Sequence, residues 1–362
     1  MADDFTGASD IASFLVENGL ATVQMNGVPK QSLTAPVDVI VISLKSRSNP
    51  VDEAIAQSLQ ALHWLQQQGC TQFYFKYCST FDSTAKGNIG PVTDALLDAL
   101  NADFTIICPA LPVNGRTIFN GYLFVGEVLL NESGMQNHPI TPMKDANLVR
   151  LMDQQARGKT GLVRYADLLK GSDYVKSCFR TLQQQGFRYA VVDSVDNDQL
   201  AVLAEAITDL KLVTGGSGLA AYMAARASGG QHGDNALLPP KGKTVVLSGL
   251  VSVMTNKQVG EICRKSTALL ILDVEQSLSN PAYADVLAKW VIAHLDHDLA
   301  PMVYATVSPD KLKQIQAEFG VEKASQAIEN TFAQLAQKLK DAGVVNFITA
   351  GGETSSIVVQ QL

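Results

Sequence analysis

The sequence predicts an α/β protein of two domains, each with a mainly parallel sheet flanked by helices. Three observations predict it. Short runs rich in β-branched and aromatic residues alternate with amphipathic segments of helical length. Each apolar run empties into a loop of hydroxyls, amides or cations, where doubly wound sheets place their ligands. The 362 residues exceed one ordinary core, and Ser228–Lys243, rich in glycine and proline, separates two such series. The expected division is 1–228, a linker at 229–243, and 244–362.

Composition narrows the function. Hydrophobic residues are 46% and charged residues 17% of the chain, a globular balance. A formal net charge of −7 argues against a nucleic-acid partner, which needs a basic face. No apolar run reaches membrane-spanning length and nothing at the start reads as a signal peptide. No membrane partner and a cytoplasmic location are therefore expected. The five cysteines, Cys70, Cys78, Cys108, Cys178 and Cys263, hold no Cys-x-x-Cys pair and read as reduced thiols. The five histidines lack metal-ligand spacing, so no protein-built metal centre is expected.

Taken in order, the chain opens on Ala2-Asp3-Asp4-Phe5-Thr6-Gly7-Ala8-Ser9-Asp10. This reads as a polar loop before a helix at 11–18, with Gly7 giving close backbone approach to a ligand and the helix start holding an anion. The plainer reading is that one of these residues only caps the helix. Only Met1 and Ala2 precede the loop, so the strand expected ahead of it is missing. Ala21–Met25 is a short strand, and Val37–Ser43, nearly all β-branched, is a buried parallel one. Lys45-Ser46-Arg47-Ser48 follows at its outlet. Pro50–Gly69 is an amphipathic helix with Ala54, Leu59, Leu62 and Leu65 on one face. Gln72–Tyr77 is a strand leading into the polar run 78–90, and Pro91–Leu100 is a helix. Phe104–Cys108 is a strand that empties into 109–117.

Residues 120–160 are less regular and suit a flap or interface segment. Helices near 173–185 and 198–208 and strands at Tyr189–Asp193 and Lys211–Thr214 follow. The last opens into Gly215-Gly216-Ser217-Gly218, a weak phosphate-loop signal without the P-loop lysine. Beyond the linker, strands are expected at Thr244–Leu247, Ala268–Val274, Met302–Val307 and Asn346–Thr349. Helices are expected at Ser252–Arg264, 281–297 and 324–342.

The outlets carry the chemistry. Asp3, Asp4 and Asp82, with Lys45, Lys76, Lys86 and Arg116 and many hydroxyls, suit a small polyhydroxylated acid. Arg116 can grip a carboxylate with two prongs, which lysine cannot. Gly351-Gly352-Glu353-Thr354, after a strand and before a helix, suits nucleotide phosphates, with Ser248-Gly249 at another outlet. The plain alternatives are solvated cations and a tight turn. An aspartyl phosphatase at Asp3 or Asp4 is disfavoured by the spacing of Asp-Asp-Phe-Thr.

Five blocks carry a resemblance: Ala2–Ala8, Phe75–Thr84, Asn114–Thr117, His138-Pro139 with Thr141-Pro142-Met143, and Gly351–Thr354. In order, and over nearly the whole chain, they resemble the signature blocks of the four-carbon acid sugar kinase family. The resemblance implies a first domain that binds a sugar acid and a second that binds ATP, with Mg2+, and phosphorylation of the acid's terminal hydroxyl. It makes Asp3 or Asp4 the catalytic base. Lys76, Ser79, Thr80, Asp82, Lys86, Asn114 and Arg116 become acid-binding residues, and Ser248, Ser252, Gly351, Gly352, Glu353 and Thr354 ATP-binding ones. The partner is a small-molecule sugar acid, and a homodimer is left open. Transfer then needs Asp3, Arg116 and Gly352 on one cleft, closed by a domain motion.

The sequence departs from the family in three places. The family begins with a strand before the Asp-Asp pair. It reads Ser-Gly-Ser-Cys-Ser where this chain has Ser248-Gly249-Leu250-Val251-Ser252, and it continues past Leu362. The departures motivate a second reading, a shortened member that binds sugar acid without phosphoryl transfer.

Overall fold

The architecture is that of a computed structural model, which describes residues 1–138, 141–233, 240–249, 253–305 and 319–362. The chain forms two units, Met1–Asn235 and Ala236–Leu362.

In the first unit, α1 (Phe5–Glu17), β1 (Thr22–Asn26), β2 (Val39–Ser43), α2 (Val51–Gln67), β3 (Phe73–Lys76), α3 (Ile89–Ala99) and β4 (Thr105–Cys108) come first. A small antiparallel sheet of β5 (Arg116–Phe119), β6 (Tyr122–Val125) and β7 (Val128–Leu129) follows. Then come α4 (Leu148–Gln155), β8 (Lys159–Val163), α5 (Tyr165–Leu168), α6 (Ser172–Gln184), β9 (Phe187–Val192), α7 (Asn197–Ala206), β10 (Leu212–Gly215) and α8 (Ser217–Ala227). The parallel strands run β1-β2 and β3-β10-β4-β9-β8.

Three residues join these two sets. Ala2 N–H donates to the Ile42 carbonyl at 2.8 Å and its own carbonyl accepts from Leu44 at 2.8 Å. On the other side Lys76 N–H donates to Met1 at 2.8 Å, and Asp3 N–H to Lys76 at 3.0 Å. The strand expected ahead of the Asp-Asp pair is therefore not missing from the sheet: Met1–Asp3 hold its place between β2 and β3. The sequence hides it because its bonds come from both neighbours, not from a run of β-formers.

Two runs of packed helices flank the sheet, α1-α8-α7-α6 and α2-α3-α4. Helix α1 starts at Phe5 rather than Ile11, so most of the expected loop is helix. Its Asp10 accepts a hydrogen bond from Ser217 on α8. Helix α2 carries Asp52 and Glu53 in its first turn, buries Ala54, Leu62 and Leu65, and stops ahead of Gly69 (φ +86°). The irregular stretch after 120 is in part the β5–β7 sheet. It is pinned to the end of β9 by paired backbone bonds between Ile118 and Ser194, both 2.9 Å. Asp193 adds to this, accepting N–H bonds from Asn120, Gly121 and Tyr165, each at 2.9 Å.

The glycine run after β10 has a packing explanation. A Cβ on Gly216 would stand 2.6 Å from the Pro109 carbonyl oxygen, and one on Gly218 2.6 Å from that of Ala110. Glycine lets α8 start hard against the β4 outlet.

The second unit has β11 (Lys243–Ser248), α9 (Val253–Cys263), β12 (Leu269–Ile271), α10 (Val274–Ser279), α11 (Tyr283–Ala293), β13 (Met302–Tyr304), α12 (Val321–Asp341), β14 (Val344–Ala350) and α13 (Gly352–Gln361). Its sheet, β12-β13-β11-β14, is parallel throughout. Leu287 and Val291 of α11 and Phe332, Leu335 and Leu339 of α12 bury against Val245, Leu247 and Val303. Among the described residues no helix is long and apolar enough to cross a membrane.

Candidate functional site

Three chain segments of the first unit meet around one guanidinium. Asp3 is buried, and its two carboxylate oxygens accept from Nε and Nη2 of Arg47 at 2.9 and 2.8 Å, a two-pronged charged pair. Arg47 stands just past β2. The same Nη2 lies 2.9 Å from Oδ1 of Asp4, and Nη1 lies 3.5 Å from Oδ2 of Asp82, past β3. Burial opposes the charge on Arg47, but Asp3 and Asp4 outweigh it and drive its pKa further above the usual arginine value.

Asp4 is held differently. It caps α1, accepting the Gly7 N–H at Oδ1 over 2.8 Å, so the capping role and the site role coincide. Burial pushes its carboxyl above the usual aspartate range. Arg47 pulls it back, Asp3 adds to the rise, and Lys76 and the Gly7 amide also lower it. Gly7 leaves room for this cap: a Cβ would collide with Asp4 Oδ1 and stand 3.0 Å from Lys76 Nζ. Lys76 is buried, and its Nζ donates to the Tyr77 carbonyl at 2.8 Å.

The loop after β3 delivers Asp82 by a strained turn. Phe81 (φ +64°) and Asp82 (φ +35°) are consecutive left-handed residues. Phe81 is fully buried and meets Tyr77 edge-on, ring centroids 5.6 Å apart, which holds the turn. Thr80 donates to Asp82 Oδ1 at 2.8 Å, and Cys78 Sγ lies 3.0 Å from the Thr80 hydroxyl. Burial pushes the Cys78 thiol up to about 11, so it stays neutral. The five cysteines are all unpaired. Gln155, the last residue of α4, ties the loop down, accepting from Ser83 at 3.2 Å and Gly90 at 3.0 Å and donating to Thr84 at 2.6 Å.

The structure thus brings Asp3, Asp4, Thr80 and Asp82 together, with Lys76 beside Asp4 and the half-buried Ser79 on the same loop. Lys86 and Asn114 are exposed. Arg116, the first residue of β5, donates to the Asn114 carbonyl within its own turn, and its Nε is buried without a hydrogen-bond partner. Among the described residues these three stand outside the Arg47 contacts. Sequence reasoning placed Arg47 at an outlet but did not single it out. Its only signal was a cation directly past a buried strand.

A second cluster forms in the second unit, where β11 and β14 run side by side. Gly249 N–H donates to the Ala350 carbonyl at 3.0 Å, and a Cβ on Gly249 would collide with the Thr354 hydroxyl. Gly351 (φ +116°) precedes Gly352, the first residue of α13, and only glycine takes that conformation freely. Thr354, Ser355 and Ser356 are buried in its first turns, with Glu353 half-buried. The Ser248 hydroxyl is buried and has no hydrogen-bond partner. An orphaned hydroxyl on β11, beside the strand that leads into α13, suits an anion at a helix start. Ser252, like Leu250 and Val251, lies outside the described residues.

Residues 1–223 match a family model described as a sugar-binding N-terminal domain, and 245–362 one described as a nucleotide-binding C-terminal domain. The chain belongs to the four-carbon acid sugar kinase family. It is 74% identical over 362 residues to the 3-oxo-tetronate kinase of Haemophilus influenzae, covering 100% of this chain and 87% of that relative. The 3-oxo-tetronate kinase of Actinobacillus succinogenes is 73% identical over 362 residues, with the same 100% and 87% coverage. The crystal structure of a Haemophilus influenzae protein, 74% identical, matches with a TM-score of 0.73 over 99% of this chain and 87% of its own.

Removing Arg47 would leave Asp3 buried and unpaired. Arg47→Ala should lower stability by about 3–5 kcal/mol at neutral pH in urea denaturation. Arg47→Lys should recover part of it, since an ammonium cannot fork onto both oxygens.

Proposed function

We propose that the chain is an ATP-dependent kinase that phosphorylates the terminal 4-hydroxyl of a four-carbon sugar acid, 3-oxo-tetronate. The observation that carries this reading is 74% identity along the whole chain to a 3-oxo-tetronate kinase. In this reading Arg116, past β4, and Lys86, past β3, hold the acid's carboxylate, as the family resemblance implies. Ser79, Thr80 and Asn114 pair with the acid's oxygens.

Of the two carboxylates, Asp4 is the better base. Both oxygens of Asp3 are taken by Arg47, and Asp3 is structural. The Gly7 amide and Arg47 meet Asp4 at one oxygen, Oδ1. Asp4 accepts the hydroxyl proton as that oxygen bonds to the γ-phosphorus. The bond from the γ-phosphorus to the β–γ bridging oxygen breaks, and ADP leaves with the electron pair. Ser248, Gly351, Gly352 and Thr354 hold the phosphates. In this reading Mg2+ would come in on ATP, needing only one or two protein carboxylates, with Glu353 beside the turn. Bound there, Mg2+ would neutralise phosphate charge.

Release of ADP, followed with 3-oxo-tetronate, D-erythronate and L-threonate, tests the reading. Turnover with 3-oxo-tetronate is expected, and none with any of the three would end it. Because burial raises the Asp4 carboxyl, kcat/KM should rise with pH through a limb above the ordinary aspartate value near 3.9. Asp4→Asn, which keeps the cap, should abolish turnover without unfolding the chain. Ser248→Ala should raise KM for ATP about tenfold, leave KM for the acid alone, and cost the ligand-free protein no stability, since the deleted hydroxyl is an orphan.

A further inference from the structure

Asn88 stands at the N-cap position of α3, yet its side chain makes no capping bond. Asparagine at that position ordinarily accepts from the helix's free N–H groups. This one turns the other way. It is 8% exposed, and its Nδ2 lies 2.8 Å from the Ser46 carbonyl oxygen, 3.2 Å from that of Arg47 and 2.9 Å from that of Asn49. One amide group with two N–H bonds serves three carbonyls of a single loop, residues 46–49.

That loop belongs to neither β2 nor α2. Two further backbone ties come from Ser46 N–H and Arg47 N–H, which donate to the Asp3 carbonyl at 3.0 and 3.3 Å. The N–H groups of Ser46 and Arg47 are thus held by Asp3, and the carbonyls of Ser46, Arg47 and Asn49 by Asn88. Asn88 is itself anchored, since Val92 N–H donates to its carbonyl at 3.0 Å and Gln155 holds Gly90 two residues on.

We infer that Asn88 is a positioning residue for Arg47: it fixes the 46–49 backbone and so sets the guanidinium on which Asp3, Asp4 and Asp82 converge. What the guanidinium then serves rests on the acid-kinase reading. The placement itself does not. The charged groups facing Asp4 are Asp3 beside it, Arg47 from this loop and Lys76 from β3. Asp82 faces Arg47 from the β3 outlet, and Arg47 is the member of the set that the loop can withdraw.

The test compares the full chain with Asn88→Ala, Asn88→Ser, Arg47→Lys and the Asn88→Ala/Arg47→Lys double variant. Asn88→Ala should lower kcat/KM for the acid about 100-fold, the effect of misplacement by about an ångström, while KM for ATP holds. The acidic limb of its pH profile should move upward, because Arg47 no longer depresses the Asp4 carboxyl. In the Arg47→Lys background the same change should have little further effect. Asn88→Ser, with one donor left, should fall between, and it carries the comparison if the alanine variant does not fold. An activity-independent readout is the Arg47 Nε–H resonance, which Asp3 protects from exchange and which should lose protection in the Asn88 variants. Lower thermal stability with unchanged kinetics, pH limb and resonance would overturn the inference, as would equal losses in both backgrounds. A wild-type chain that turns over no acid would end the kinase reading alone, leaving the resonance to decide the placement of Arg47.

Discussion

A carboxylate without water has to be met by a cation, and in the first unit that demand falls on Asp3. The residue is fixed by its backbone between β2 and β3, so it cannot retreat. The guanidinium must come to it, and the loop that brings Arg47 is held accordingly. The Asp82 turn and the cap of α1 close on the same cation. Removing one partner of such a set uncovers the others, which is why buried ion pairs are costly to break even where they add little net stability.

The same arrangement separates two neighbouring aspartates. Adjacent in sequence, Asp3 and Asp4 differ because one continues a strand and the other begins a helix. The first gives both oxygens to the arginine. The second keeps a carboxyl that burial makes a stronger base than free aspartate. Family membership speaks of a sugar acid and a nucleotide, and the local geometry shows that the two carboxyls are held differently.

Much of the fold was legible because its strands are compositional. Runs such as Val39–Ser43 and Thr105–Cys108 announce themselves by β-branched residues and abrupt polar ends. What stayed hidden depends on tertiary partners. Met1–Asp3 are strand-like only because both neighbours bond to them. The first turn of α1 carries threonine and glycine, weak helix formers that a cap and packing override. Gly215–Gly218 reads as a weak phosphate-loop signal, and close packing explains its glycines at 216 and 218. Asp3, Asp4 and Asp82 could be picked out as carboxylates at outlets. Arg47 and Asn88 could not, since their roles lie in contacts across some forty residues of chain. The approach of Gly249 to Thr354 was legible from glycine placement, because a Cβ at Gly249 would meet the Thr354 hydroxyl.

The left-handed Phe81–Asp82 pair imposes a conflict on any attempt to improve the protein. Glycine at position 82 would relax the backbone but delete the carboxylate, and glycine at 81 would relax it but remove the aromatic ring that pins the turn. Neither residue can be optimised for comfort without surrendering its second duty. Stabilising libraries should therefore find their gains elsewhere in the chain and leave this corner under tension.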